Sequence, residues 1–207
     1  MSQSSSIQSI NSGLEAQNNL TAAETLLSPA MKSPIDLCSQ KIETPLGIMT
    51  IIASDSGLSF LEFSQDNPSE FEEALPANSY RILDKENEIT KLTKIQLQEY
   101  FDRKRTCFDI PLDFIGTDFQ KKVWESLLQI EFGKLSSYED QSKMIGNPLA
   151  IRAMAHANGQ NKIAIVVPCH RVIGKDGSMT GYAGGIWRKE WLLDHEGSVK
   201  KSLKLDL

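Results

Sequence analysis

Ser136–Gly159 reads SSYEDQSKMIGNPLAIRAMAHANG, and its punctuation decides the fold of the half of the chain in which it lies. Ser136 and Glu139 stand at capping-box spacing, so a short helix is expected over 137–145. Gly146 stops it. Asn147 is placed to cap a second helix, with Pro148 at its first position. PLAIRAMAHA then runs to Asn158-Gly159. Helix, tight turn, helix is a helix-turn-helix pattern, although a plain αα-hairpin in a core is commoner. Two features favour a nucleic-acid surface. The second helix is mostly alanine, which lets a backbone come close, and it carries one long cation, Arg152.

Outward toward the C-terminus lies NKIAIVVPCHRVIG, Asn161–Gly174. Five apolar residues, Ile163–Val167, read as a buried strand, and Pro168 ends its regular pairing. Cys169 then sits at a strand end beside a loop, where functional side chains concentrate. His170 and Arg171 can lower a thiol pKa and enrich the nucleophilic thiolate. Neighbours on an extended chain point to opposite sides, so the imidazole would reach the sulfur through a water, with a carboxylate holding its tautomer. Glu196, Asp194 and Asp176 all qualify, and spacing does not choose among them. GKDGSMTGYAGG (174–185) is turn-rich. IWRKEWLLDHEG is expected to be an amphipathic helix with Ile186, Trp187, Trp191 and Leu192 inward. Outward toward the N-terminus, Thr117 and Gln120 form another capping box before Phe119, Val123, Trp124, Leu127 and Leu128, a helix that Gly133 would end.

The first half has a different texture. Residues 1–35 are rich in Ser, Asn and Gln without an aromatic residue and are expected to be a mobile tail. KIET, IMTIIAS and LSFLEF are β-prone runs separated by PLG and DSG turns, an antiparallel meander. ENEITKLTKIQLQEYF has helical spacing through Ile89, Leu92, Ile95, Leu97 and Phe101. CFDIPLDF is extended, an edge strand and linker broken by Pro111. The fold class is α+β: a tail over 1–35, a small antiparallel-sheet domain over 36–113 and a mostly helical domain over 114–200.

The net charge of −5 argues against a nucleic-acid binder until it is counted by region. Residues 36–114 carry 8 basic and 15 acidic side chains, whereas 115–200 carry 11 and 9. Within 141–175 there are five cations (Lys143, Arg152, Lys162, Arg171, Lys175) and no acid. Local potential attracts a polyanion, not the total. Three cysteines (Cys38, Cys107, Cys169) without CxxC spacing point away from a disulfide framework or a zinc site. No secretory signal is visible and no apolar run is long enough to cross a bilayer, so a cytoplasmic location is expected, or a nuclear one in a eukaryote.

PCHRVIG, followed by GYAGG and WRKEWLLDHEG and preceded by FQKKVW and NPLAIRAMAHANGQN, resembles the methylated-DNA–protein-cysteine methyltransferases, the O6-alkylguanine-DNA alkyltransferases. The match spans about residues 114–198. The first half resembles the family's ribonuclease H-like domain more loosely, through TPLGIMTIIASDSGLSFLEF and FDIPLDFIGTDFQ. The resemblance implies a winged helix-turn-helix domain and a set of roles. Cys169 would be the alkyl acceptor. His170 and Glu196 would form the relay that activates it through a water, which selects Glu196 from the three carboxylates. Asn161 would organise the active-site turn, and Tyr138 would crowd the DNA phosphate and help protonate the leaving guanine. Arg152 would fill the place of the extruded nucleotide, with Ala153 and Ala157 pressing the helix into the minor groove. Tyr182, Ala183 and Gly184 would wall the base pocket.

The function implied is direct-reversal repair. The alkyl group of O6-methylguanine in flipped-out double-stranded DNA passes to Cys169 once per molecule, with no cofactor, metal or obligate protein partner, by a monomer. O4-methylthymine stays open as a second substrate. Gln141, Ser142 and His156 depart from the family's usual aliphatic or small residues. Two other readings compete: a non-catalytic helix-turn-helix damage sensor or regulator, which leaves Cys169, His170 and Glu196 unexplained, and a Cys-His hydrolase or acyltransferase, which has no use for Arg152.

Overall fold

The computed structural model describes residues 33–63, 71, 75–179 and 181–199. The expected tail lies outside them apart from its last three residues. Strands β1 (Ile35–Thr44), β2 (Gly47–Ala53) and β3 (Leu58–Phe63) form the antiparallel meander. The first strand starts at Ile35, earlier than KIET suggested, because IDLCSQ pairs with a strand that the sequence pattern did not reveal. That strand, β4 (Tyr80–Leu83), runs parallel to β1, so the sheet is mixed, in the order β3-β2-β1-β4. CFDIPLDF contributes only a bridge from Leu112 to Leu58. Pro111 has no N–H to donate, and its carbonyl instead accepts from Leu58 N at 2.8 Å.

Alternation along β2 and β3 gives the sheet two apolar faces. Leu37, Ile52 and Phe60 pack with Phe71 on one. Met49, Ile51, Leu61 and Phe63 enter the main core on the other, against α1 (Glu88–Phe101). Asn87 and Thr90 form a reciprocal capping box at the start of α1. The helix buries Thr90, Thr93, Gln96, Leu97 and Tyr100. Ile95, expected on the inner stripe, is 57% exposed.

In the second half, α2 (Asp118–Leu127) begins with the expected Thr117–Gln120 box. It buries Val123, Trp124 and Leu127, each contributing roughly 1.5–3 kcal/mol or more by removal from water. The helix stops before Gly133. The intervening turn leaves the Ile130 carbonyl free to accept from Arg171. The two-residue strand β5 (Ser136–Ser137) leads into α3 (Tyr138–Met144), capped by Ser137 rather than Ser136. Gly146, at φ +72°, closes α3 with paired bonds from Gly146 N to Lys143 O and Asn147 N to Ser142 O. Asn147 does not cap the next helix. It starts a further turn, Ala150 N to Asn147 O, and α4 (Ile151–Gly159) begins after it.

Residues 163–167 are not a strand. Leu61 brackets Ile163 through Leu61 N to Lys162 O and Ala164 N to Leu61 O, and the chain then turns at Ile165, φ +70°. A 3-10 turn, Cys169–Arg171, leads to β6 (Val172–Ile173), which pairs in parallel with β5. The last helix, α5 (Ile186–His195), buries Leu192 and Leu193 together with Arg188 and Lys189. Ile186 and Trp187, expected inward, are exposed. One core joins Phe63 and Tyr100 of the first half to Trp124, Ile165 and Leu192 of the second.

Candidate active site

Cys169 is partly buried and lines a small concavity. Tyr138, the first residue of α3, Asn161, and the loop residues Tyr182, Ala183 and Gly184 share that lining. Asn158, Gly159, Ala164 and Gly181, with Glu62 and Phe63 from β3, complete it. The loop lies tight against the sheet: a Cβ on Gly184 would meet Phe63 Cδ2 and Tyr182 Cε1 at 3.0 Å. Arg188 fixes the loop, donating to Gly184 O at 2.7 Å and to Leu46 O at 3.0 Å while its guanidinium lies 4.0 Å over the Phe63 ring.

The thiol is held by a turn that Asn161 ties together. Its Nδ2 donates to Val167 O at 2.9 Å and Cys169 Sγ at 3.2 Å, while its Oδ1 accepts from Ile163 N at 3.0 Å. Ile165 is the strained link, since a β-branched residue at positive φ persists only when its surroundings over-determine it. Its side chain is fully buried, which supplies that constraint.

His170 Nε2 lies 2.9 Å from Glu196 Oε1, with both side chains inaccessible to solvent. Glu196 caps α5 and is fixed by the closing bonds Gly197 N to Asp194 O and Ser198 N to Leu193 O. Neither Asp176 nor Asp194 forms an ion pair with His170; Asp176 bonds Ser178. Arg171 turns away from the sulfur and grips the carboxylate twice, Nε to Oε2 at 2.8 Å and Nη2 to Oε1 at 3.0 Å. Tyr100 donates to Oε1 at 2.9 Å.

Protonation follows from these contacts. Burial alone would raise the Glu196 carboxyl, but hydrogen bonds and charge from His170 and Arg171 outweigh it and bring its pKa down to about 2. Burial lowers the His170 imidazole against the pull of Glu196, whose charge Arg171 already compensates. Burial raises the Cys169 thiol, opposed by the Asn161 amide and by Lys189, a fully buried lysine of α5. The expectation that Arg171 acts on the sulfur is therefore corrected: Arg171 serves the carboxylate. The resting site is a neutral thiol, a neutral imidazole and an anionic carboxylate. With Nε2–H donating to Glu196, His170 Nδ1 is the basic nitrogen, and no described residue bonds it.

Arg152 and Ala153 lie on the exposed face of α4, outside the pocket lining, with His156 one turn further on. Ala157 does not belong to that face. It is 2% exposed, and its carbonyl accepts from Trp124 Nε1 at 2.8 Å. The acid-free run 141–175 is not a free basic face either. Lys143 and Lys175 both pair with Glu139, Lys162 with Glu62 and Arg171 with Glu196. Of the five cations only Arg152 has no ion-pair partner among the described residues. Lys189, Tyr100 and Asn158 carry no mark of a site residue in the sequence. Lys189 stands between Arg188 and Glu190 in WRKEW, so the linear pattern gives no sign that it is buried.

A sheet half and a helix-turn-helix half that share one core, with a thiol lining a pocket and a buried His170–Glu196 pair beginning at the next residue, define a class of protein built around one reactive cysteine. Residues 37–114 match the family model described as 6-O-methylguanine DNA methyltransferase, ribonuclease-like domain, and residues 118–198 match its DNA binding domain. The chain is 40% identical over 166 residues to a methylated-DNA–protein-cysteine methyltransferase of Shigella flexneri, covering 78% of this chain and 96% of that protein. The crystal structure of the Mycobacterium tuberculosis O6-methylguanine methyltransferase superposes with a TM-score of 0.67 at 39% identity, covering 80% of this chain and 96% of that one. The M. tuberculosis OGT in complex with DNA superposes with a TM-score of 0.66 at 38% identity, covering 79% and 94%. The chain belongs to the 6-O-methylguanine DNA methyltransferase family.

Proposed function

We propose that this protein repairs alkylated DNA by direct reversal, moving the alkyl group of O6-methylguanine onto Cys169. The observation that carries the reading is a pocket-lining thiol, hydrogen-bonded to Asn161, next to a His170–Glu196 pair. The O6 substituent lies inside the base stack, so the nucleotide must be everted, at a cost of roughly a few kcal/mol. Arg152 offsets part of it by occupying the vacated space, with Ala153 permitting close approach in the minor groove. His156, on the same exposed face, is the further groove contact.

In the pocket, Tyr182, Ala183 and Gly184 hold the base beside the sulfur. The thiol proton passes through a water to His170 Nδ1, and Glu196 stabilises the imidazolium. The thiolate attacks the alkyl carbon; the S–C bond forms as the C–O bond breaks, and the electron pair leaves on the guanine. Tyr138, whose phenol is kept neutral by burial and by proximity to Cys169, donates a proton to the leaving base. It is replenished by the proton lost from the thiol, so the net transfer is alkyl to sulfur and proton to guanine. A thioether has no good leaving group, so each molecule reacts once. The protein acts as a monomer without a cofactor, in the compartment that holds the DNA.

The experiment is intact-mass and peptide-mapping mass spectrometry after mixing with duplex containing O6-methylguanine. One methyl group per protein, on the peptide containing Cys169, is expected, saturating in excess DNA. Cys169→Ala is expected to lose uptake and keep DNA binding. Continued turnover, or uptake that survives Cys169→Ala, overturns the reading.

A further inference from the structure

Glu196 Oε1 accepts three hydrogen bonds, and only two come from the helix-turn-helix half. His170 Nε2 and Arg171 Nη2 supply those; the third comes from Tyr100 in the last turn of α1, in the sheet domain. Tyr100 is fully buried, and its ring is fixed by Phe101, Phe108, Phe132 and His195, with centroids 5.0–6.2 Å away. Those contacts use the ring and would serve a phenylalanine equally well. The hydroxyl is aimed at the carboxylate that holds the imidazole, and burial beside that carboxylate keeps the phenol protonated and donating.

We infer that Tyr100 is a positioning residue for alkyl transfer, its hydroxyl sharing Oε1 with His170 and thereby setting how strongly Glu196 holds the imidazole. The inference rests on the repair reading. The groups that face the pair are His170 and Arg171 of the 3-10 turn, Gly133 N–H, Lys189 of α5 and Tyr100 of α1. Removing one donor concentrates negative charge on Oε1. The imidazole N–H is then bound more tightly, imidazolium becomes easier to form before substrate arrives, and less neutral His170 remains to take the thiol proton. The sheet domain is thus a working part of the relay, which is completed across both halves of the chain.

The test uses the full chain with duplex O6-methylguanine, measuring the transfer rate constant against pH, melting temperature and damaged-duplex affinity in a Cys169→Ala background. Tyr100→Phe is expected to slow transfer at neutral pH about tenfold. It should also move the acid limb of the profile to higher pH and leave DNA affinity unchanged. Site-specific 3-fluorotyrosine at position 100 keeps the bond with a more acidic donor and should move the acid limb to lower pH, a result that does not depend on the Phe variant folding. A wild-type rate and profile in Tyr100→Phe overturns the inference. So does a loss matched by the unfolded fraction with an unmoved limb, or a fluorotyrosine protein with an unmoved limb. Wild-type protein that fails to alkylate Cys169 would instead remove the repair reading itself.

Discussion

Of the five cations in 141–175, Arg152 is the one without an ion-pair partner among the described residues. Lys143 and Lys175 share Glu139 at the surface, contacts worth about 0–1 kcal/mol each, Lys162 pairs with the buried Glu62, and Arg171 is committed to Glu196. Arg152→Ala is therefore expected to reduce the rate on damaged duplex by two orders of magnitude or more, since eversion goes uncompensated, roughly the few kcal/mol of unstacking. A free O6-alkylguanine base, which needs no eversion, should react at a near-normal rate. Comparing the two substrates in single-turnover assays checks this. Gly184 is tight for a different reason. A Cβ there would press on the Phe63 ring at 3.0 Å, so the wall must shift by a few tenths of an ångström. Gly184→Ala is expected to cost about 1–2 kcal/mol of stability. It should also slow transfer more for a benzyl than for a methyl group, as measured by thermal melts and competition between the two damaged duplexes.

At the scale of elements, the two helices of the helix-turn-helix are joined by an amide pair. Gln141 of α3 donates to Asn158 Oδ1 at 3.1 Å and to Ser126 Oγ at 3.0 Å, and Asn158 of α4 donates back to Gln141 Oε1 at 2.6 Å. Ser142, also fully buried, bonds Glu139 O at 2.6 Å. Two of the three departures from the family's usual residues, Gln141 and Ser142, are thus satisfied polar groups. Gln141→Leu leaves the Asn158 amide buried without its partner and is expected to cost about 1–3 kcal/mol in chemical denaturation. Gln141→Leu with Asn158→Leu should recover much of that, because two apolar partners leave no orphan. Because Asn158 also lines the pocket, the single variant should lower the transfer rate more than its loss of stability explains.

For the whole molecule, the buried relay makes stability depend on pH. Glu196 holds its proton less tightly when folded, at about 2 against an ordinary value near 4.5. Its contribution is fully present above pH 4.5 and is lost as pH falls toward 2, on the order of 3 kcal/mol in all. His170 is also shifted down by burial, so the unfolded chain binds its proton first, and stability begins to fall once pH drops below roughly 6.5. Melting temperature measured from pH 8 to 3 should decline in two stages. Glu196→Gln should flatten the lower one while destabilising the protein at neutral pH, since Arg171 is then buried without its counter-ion.

Local chemistry written into the chain determined the meander, the Thr117 capping box, the Gly146 stop and the helix-turn-helix that follows from it, because each depends on residues within a few positions of one another. The family motifs likewise carried Cys169, His170, Glu196, Asn161 and Tyr138 into the reading before any contact was known. Only the tertiary structure decided the rest. Ile163–Val167 has the composition of a strand yet becomes a turn, since Leu61, a hundred residues earlier, brackets Ile163 and Asn161 gathers the carbonyls beyond it. Ala157 faces inward because α4 packs against Trp124. Four of the five cations in the acid-free run are paired by Glu62, Glu139 and Glu196, which lie outside the run. Tyr100 reaches Glu196 across 96 residues of chain. Charge balance and hydrogen-bond satisfaction in a buried site are settled by neighbours in space, and a linear pattern specifies only neighbours along the backbone.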